Sequence, residues 1–379
     1  MAGSSPPTSA GDTGRVRMAT VNADFAQRIA TMPPAPQRDF SSDNAAGAHP
    51  AVLEAIVAAN IGHAVAYGAD PWTAEAQARF RDMFGPTSQA FLVWNGTGAN
   101  VMALATMIRP ADFVLCTEWA HISVDETGAP ERALGAKIVP VPADDAKLRP
   151  EQIEGLARFQ GDMHHAQPGV VSITQSTELG TVYTADEVAA VCDAAHRLGM
   201  VVHMDGARLA NATASLGGTL TALRSFTVDA GVDVLSFGGT KAGLAGGEAV
   251  IFLNPAMAER AMYVRKQVNQ LPSKMRFVAA QFNALLEGDR WIHLAEHANA
   301  MCGHLFEATS HIDAVVHGSR PVVNSAFPTV PPEAIAPLQE WSFFWDWGVS
   351  GSQVRWMTAW DTTLDDVEQF AAGIRHLLG

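Results

Sequence analysis

Met200–Ala212 reads MVVHMDGARLANA and Asp233–Val250 reads DVLSFGGTKAGLAGGEAV. In each, a mostly apolar run ends at a charged or glycine-rich turn. Met200–Met204 is apolar except for His203, and Asp205 follows; Val232–Phe237 is mostly apolar, and Gly238-Gly239-Thr240-Lys241 follows. Short apolar runs bounded by such turns read as buried strands. If both strands lie in one parallel sheet, the carboxylate and the lysine emerge at their carboxyl ends, over one crevice.

The pattern extends in both directions. Ala90–Trp94, Phe113–Cys116, Ala136–Val141 and Val170–Thr174 read as strands before it, and Ala249–Leu253 after it. Helical spacing covers Val101–Ile108, Val124–Leu134, Pro150–Phe159 and Ala185–Leu198 between them. Alternation of this kind predicts an α/β fold, a mostly parallel sheet with helices on both faces. Upstream, helices are expected at Val21–Met32, Pro50–Asn60 and Thr73–Phe84. After Asn254-Pro255 the character changes. Long helices over Ala256–Glu287, split around Leu271-Pro272, lead to a helix at Trp291–Ser310. Short strand-like pieces follow at Ala314–Val316, Trp341–Trp345 and Val354–Thr358, then a helix at Leu364–Leu378. The expected organisation is a flexible tail and short helix at 1–38, a large domain at 39–255, and linking helices with a smaller α+β domain at 256–379.

Composition narrows the function. The 379 residues are 48% apolar and 17% charged, as in a globular enzyme. A net charge of −14 argues against nucleic acid or an anionic membrane surface as a partner, since both call for basic patches. Cys116, Cys192 and Cys302 are too widely spaced for a C-x-x-C pair, and they are expected to be reduced, buried thiols of a cytoplasmic protein. No apolar run approaches transmembrane length, and the first residues lack the apolar core of a signal peptide.

Several residues carry candidate chemistry. Asn95-Gly96-Thr97-Gly98-Ala99-Asn100 joins a strand to a helix, a layout that can cradle phosphate or simply make a tight turn. The third glycine of a dinucleotide fingerprint is replaced by Val101, and no Walker loop is present. Lys241 stands among glycines with few other charges, where a desolvated amine could form a Schiff base; a surface lysine is the alternative. Asp205 could cap a helix or sit under a cationic ring nitrogen. Arg208 could clamp a carboxylate or make a surface ion pair. His121, in a polar loop after a strand, could stack on a ring, take a proton, or do neither. Arg355 lies on an apolar strand and needs an anion if buried, either a substrate carboxylate or an aspartate such as Asp361. The late aromatics from Trp341 to Trp360 are expected to be mostly core. His164-His165 reads as solvent-facing, and there is no H-E-x-x-H motif, so no metal site is expected.

Taken in order, these stretches resemble a known family. SSDN (Ser41–Asn44), AYGADPWT (Ala66–Thr73), NGTGAN (Asn95–Asn100), Ala120-His121, HMDGAR (His203–Arg208), FGGTKAG (Phe237–Gly243), SKMRF (Ser273–Phe277) and VRWMTAWDTT (Val354–Thr363) carry the likeness. The sequence resembles the threonine aldolase group of fold-type-I pyridoxal-phosphate enzymes, related to the β-eliminating lyases, and within it the low-specificity L-threonine aldolase and phenylserine aldolase branch. The resemblance implies pyridoxal 5'-phosphate as cofactor. It also implies reversible cleavage of L-β-hydroxy-α-amino acids (L-threonine, L-allo-threonine, L-phenylserine) to glycine and an aldehyde. On this likeness Lys241 would carry the cofactor, Asp205 would pair with the pyridine nitrogen, and His121 would stack on the ring and serve as a base. Gly96 and Thr97 would bind the phosphate, with Arg276 reaching it from a neighbouring subunit. Ser42, Arg208 and Arg355 would hold the substrate carboxylate, with Tyr67 nearby. A homo-oligomer, dimer or dimer of dimers, follows from the shared phosphate site.

Two stretches depart from the family. Relatives commonly have Arg-Ser-Asp-Thr where this chain has Ser41-Ser42-Asp43-Asn44. A second histidine that many relatives carry after the fourth strand is replaced by Gln175-Ser176-Thr177-Glu178. The base, and the preferred side chain, are therefore open. Other chemistry on the same fold, such as β-elimination or aldol transfer, and a non-catalytic homologue are the competing expectations.

Overall fold

The computed structural model describes residues 23–347 and 351–379, so the expected N-terminal tail lies outside the described residues. Seven strands form the main sheet. They are β1 (Gln89–Val93), β2 (Asp112–Thr117), β3 (Lys137–Val141), β4 (Gln167–Thr174), β5 (Val201–Gly206), β6 (Val234–Gly238) and β7 (Glu248–Phe252). Their spatial order is β1-β7-β6-β5-β4-β2-β3. The five strands from β6 to β3 are parallel, while β7 runs antiparallel to both β6 and β1. The expected mostly parallel sheet is therefore present.

This topology decides where the chemistry sits. Because β7 alone is reversed, its first residue, Glu248, pairs with Gly238 at the end of β6 and Val93 at the end of β1. The carboxyl ends of β1, β2, β4, β5 and β6 consequently share one sheet edge with the start of β7. Both faces are covered, as the unbroken burial of β6 and β7 shows. One face packs Phe80, Phe237 and Phe282, whose rings meet edge to face at centroid distances of 5.3 to 6.3 Å. The other packs Val93, Met102, Leu104, Val234 and Phe252. Helix Gly96–Met107 belongs to this second layer and is buried over most of its length.

A second, three-stranded sheet orders β8 (Ser325–Ala326), β10 (Val354–Met357) and β9 (Trp345–Asp346). Its core includes Phe40, Phe344, Trp356 and Phe370, and helix Ala23–Ala30 lends Phe25 and Ile29 to it. Arg38 fastens this region by pairing with Asp361 at 3.2 Å and Asp366 at 3.0 Å.

Several expectations need correcting. The loop over Asn95–Asn100 is not a free turn: the helix begins at Gly96, and Asn95 caps it by accepting the Gly98 N–H at 2.7 Å. The helix expected over Val124–Leu134 is two short pieces, His121–Val124 and Ala129–Leu134, because Thr127 and Gly128 take positive φ values of 51° and 69°. Trp341–Trp345 is not a strand. Trp341 ends a helix, Pro332–Trp341, and only Trp345–Asp346 is extended. Packing overrides the local pattern there: the Trp341 ring stacks on Phe370 with centroids 5.7 Å apart, and its Nε1 donates to the Pro33 carbonyl at 2.7 Å. Ala314–Val316 contributes only a single bridge, Val316 to Thr329. Among the late aromatics Phe344 and Trp356 are core, but Trp345 is 51% exposed.

Candidate active site

At the shared edge lies a cavity of about 220 Å³ lined by Gly96, Thr97, His121, Asp205, Ser236 and Lys241, among others. Four separate elements converge there, which is what their positions at the strand ends require. Asp205 is the penultimate residue of β5, so it is a strand residue and not a helix cap; the next helix starts at Leu209. Its carboxylate accepts from the Asn100 amide at 2.8 Å and from the Ala207 N–H at 2.9 Å. Asn100 also donates to Glu126 at 2.9 Å, and the same Glu126 oxygen lies 2.9 Å from His121 Nδ1. One buried amide thus ties the Asp205 carboxylate to the carboxylate that orients His121. The hydrogen bond to Glu126, helped by the charge of Asp205, holds the His121 pKa above its usual value despite partial burial and the opposing charge of Lys241.

Beneath Asp205 a second polar line crosses three strands. His203 Nδ1 is 2.9 Å from Ser172 Oγ, and its Nε2 is 3.0 Å from Ser236 Oγ. Burial pushes His203 down to about 4, so the ring is neutral at pH 7. Ser236 is the register partner of Asp205 and lines the cavity.

Lys241 sits on the turn Thr240–Ala242 directly after β6. Burial, and then the nearby Arg208 cation, lower its pKa despite the carboxylates of Asp43, Asp205 and Glu248. Gly238 permits this arrangement: a Cβ there would lie 2.4 Å from the Ala207 carbonyl oxygen, an atom of the neighbouring backbone that cannot rotate away. Glu248 faces the same turn and accepts the Gly239 N–H at 2.5 Å; burial raises it to about 7.

The cavity also meets a helix N-terminus. Helix geometry leaves the first amides without intrahelical acceptors. Asn95 takes the Gly98 amide, and Gly96 and Thr97 line the cavity from the first turn.

Arg208 is not a surface ion pair. Its guanidinium makes two bonds to Asp43, at 2.7 and 2.9 Å, with the Asp43 side chain 2% and the Arg208 side chain 16% exposed. Asn324 adds a donor to Asp43 at 3.1 Å. Burial alone would raise the Asp43 carboxyl, but the charges of Arg208 and Lys241 and these hydrogen bonds hold it below the usual carboxylate range. Ser42, beside it, accepts the Asn44 N–H at 3.1 Å, and Asn44 lines the cavity. Arg355 donates to the Ser41 carbonyl at 3.1 Å and lies 4.7 Å from the Trp347 ring centroid. Its Nε is buried and without a partner, and burial with the nearby Arg208 charge brings it down to about 10. Asp361, offered above as a structural partner, is taken by Arg38 instead.

Five candidates do not line this cavity: Ser42, Arg208 and Arg355, described above, and Tyr67 and Arg276. Tyr67 is 55% exposed, with Lys266 4.9 Å from its ring centroid. Arg276 donates to the Ile61 carbonyl at 3.0 Å and lines a separate cleft of about 480 Å³ with Gly62, Asp70 and Ser273. Residues not singled out from the sequence include Asn100, Glu126, Glu178, Glu248 and Asn324. Asn100 and Glu126 left a faint signal: a polar residue opening an apolar helix, and an acidic one five residues beyond His121.

Comparison with known proteins adds to this geometry. The model of the β-eliminating lyase family matches residues 39–330. The chain is 41% identical over 345 residues to a low specificity L-threonine aldolase of Pseudomonas aeruginosa, covering 90% of this chain and 98% of that protein. The solved threonine aldolase of Leishmania major is 29% identical, with a TM-score of 0.83, covering 90% of this chain and all (100%) of that one. A structure of Oryza sativa TDC with PLP and tryptamine shares the fold, with a TM-score of 0.70 at 13% identity over 90% of this chain and 84% of that one. A parallel sheet that gathers Asp205, Lys241 and a helix N-terminus at one edge, together with a family match over most of its length, leads to one conclusion: this chain belongs to the β-eliminating lyase family.

Proposed function

We propose that this chain is a carbon–carbon lyase that holds pyridoxal 5'-phosphate on Lys241 and cleaves L-β-hydroxy-α-amino acids, of the L-threonine and L-phenylserine type, to glycine and an aldehyde. One observation carries the reading: an amine of lowered pKa, a pinned carboxylate and a helix N-terminus meet in a single cavity of about 220 Å³. These are the groups that an aldehyde, a protonated ring nitrogen and a phosphate would need, so the donor set fits the cofactor.

When bound, the cofactor supplies an electron-withdrawing ring conjugated to the substrate Cα. The chain's residues do the rest. Lys241, its pKa lowered by burial and Arg208, is the amine that would hold the cofactor's aldehyde. Asp205, fixed by Asn100 and the Ala207 amide, stands ready for a ring nitrogen proton. Asp43 holds Arg208 in one orientation, and Arg355 brings a second guanidinium with an unused Nε. These two guanidiniums would suit a substrate carboxylate. His121, which lines the cavity, or a water it holds, would accept the β-hydroxyl proton.

Arg276 and Tyr67 share a surface outside this cavity, and we assign them to the cavity of a neighbouring copy, which makes the enzyme a homo-oligomer. Three buried thiols without a disulfide support a cytoplasmic setting. Purified protein supplied with pyridoxal phosphate should release acetaldehyde from L-threonine and benzaldehyde from L-phenylserine, with equimolar glycine. Ammonia and a 2-oxo acid in place of glycine would assign it to β-elimination and overturn the proposal.

A further inference from the structure

We propose that Asn100 and Glu126 form a positioning pair for His121, fixing its imidazole with the proton on Nδ1 and Nε2 left for the Lys241 cavity, while the second Asn100 N–H holds Asp205. The inference rests on the lyase reading above and supplies the groups that make His121 an acceptor for the β-hydroxyl proton.

Direct contacts define the pair. Asn100, His121 and Asp205 all line the Lys241 cavity. Glu126 stands behind His121, its side chain fully shielded from water. Glu126 Oε1 lies 2.9 Å from His121 Nδ1 and accepts the Asn100 amide, also at 2.9 Å. A carboxylate oxygen accepts and does not donate, which assigns the proton of this contact to Nδ1. Nε2 makes no hydrogen bond to another described residue, so it is the ring nitrogen available to a ligand in the cavity.

Asn100 extends the arrangement to the other side of the site. It is buried in the second turn of helix Gly96–Met107, past the first amides that need a cap. Its side chain instead sends one N–H to Glu126 and the other to Asp205, the latter at 2.8 Å. One amide on a rigid helix thereby fixes the separation of two carboxylates, one behind His121 and one at the place for the ring nitrogen. Stability alone does not account for this bridge. Asn100 Oδ1 and Glu126 Oε2 are both buried without a partner among the described residues. Leaving buried acceptors unsatisfied is costly, whereas apolar groups of the same shape would pack there at little loss.

The contact also acts on charge. The hydrogen bond to Glu126 is the largest influence on His121 and raises its pKa, against burial. The charged groups facing the ring are Glu126 from its own turn, Asp205 from the end of β5 and Lys241 from the turn after β6, and Glu178 accepts its main-chain N–H. In the cleavage, the hydroxyl proton passes to Nε2, directly or through one water. The O–H electron pair becomes the second bond of the aldehyde carbonyl, and the Cα–Cβ pair stays on Cα, which takes up a proton to give glycine. His121 is then a cation, and the carboxylate that steadies it is already in place at Nδ1. A buried carboxylate supports a histidine base in this way, by holding the tautomer and the cation that forms.

E126Q keeps the shape and removes the charge. Without cofactor, nitrogen NMR of wild type should show neutral His121 protonated at Nδ1 and titrating above the ordinary histidine range; in E126Q the titration should move to lower pH. With cofactor, the acid limb of kcat/KM should move the same way, because His121 must be neutral to accept a proton. The plateau should fall about 10-fold or more, a part of the roughly 10²–10⁴-fold that a general base supplies. A merely structural Glu126 would lower the melting temperature and leave the limb in place. N100A tests the shared amide. It should weaken cofactor binding through Asp205 and cleavage through Glu126, whereas E126Q should leave cofactor affinity near wild type. In the double variant the cleavage losses should overlap rather than multiply, and the loss of cofactor affinity should equal that of N100A alone. An Nε2–H tautomer in wild type, an unmoved titration and limb in E126Q, or fully multiplicative cleavage losses would each overturn the proposal. A titration that moves as expected in protein that never binds cofactor would uphold the pair and refute the lyase reading instead.

Discussion

The Asp43–Arg208 pair permits a worked prediction. Two charge-assisted bonds at 2.7 and 2.9 Å join groups that are almost fully shielded from water. Asn in place of Asp43 keeps the shape but leaves the guanidinium without a counter-charge, beside Arg355 and Lys241. Breaking one side of such a pair costs about 3–5 kcal/mol. A folded unit of about 350 residues has an unfolding entropy of roughly 0.7 kcal/mol per degree, so D43N should melt about 4–7 °C below wild type. The pH dependence has a definite sign. The folded Asp43 carboxyl is held below its unfolded value, because Arg208 and Lys241 outweigh burial. Its contribution is therefore complete above about pH 4, the unfolded value, and is lost as pH falls through the lower, folded one. The D43N deficit should stay constant from about pH 8 to about pH 5 and close only below about pH 4. Calorimetry of wild type, D43N, R208Q and the double variant checks this, with a coupling of at least about 1 kcal/mol expected. D43N melting within about 1 °C of wild type, or strictly additive effects, would refute the argument that Asp43 fixes Arg208.

Three further outcomes follow from the same geometry. R355A should raise KM for the amino acid about 10- to 100-fold while lowering kcat less, because a charge-assisted carboxylate contact is worth about 1.5–3 kcal/mol; steady-state kinetics with L-threonine checks it. G238A places a Cβ 2.4 Å from the Ala207 carbonyl, so it should lower the melting temperature by about 3 °C or more and weaken retention of cofactor on dialysis. His203 is neutral in the fold, with its pKa pushed to about 4 by burial, whereas the unfolded imidazole protonates near about 6.5. Between those values the unfolded state binds more protons, so stability falls as pH drops. Wild type should thus lose up to about 3 kcal/mol more than H203N between about pH 7 and about pH 4, as measured by urea unfolding.

Much of this was legible in the sequence because the strands are simple. Runs such as Met200–Met204 and Val232–Phe237 are buried on both faces, so their apolar continuity marks them, and the charged residues that follow mark the strand ends. What could not be read were contacts set by topology. Glu248 reaches Lys241 because β7 is reversed, which no local pattern announces. Asn100 reaches Asp205 across 105 positions, and Asn324 reaches Asp43 across 281. The helix Pro332–Trp341 was hidden by its internal Pro337 and by aromatics that pack at long range. Arg276 and Tyr67 were expected at the site by resemblance, and within one chain they stand outside its cavity.

The central claim is that Lys241 carries the cofactor. Protein incubated with pyridoxal phosphate, reduced with borohydride and digested should yield one modified peptide, with the reduced cofactor on Lys241 within Gly238-Gly239-Thr240-Lys241. A K241A variant should yield none. An adduct on any other lysine, or no adduct in wild type, would contradict the account.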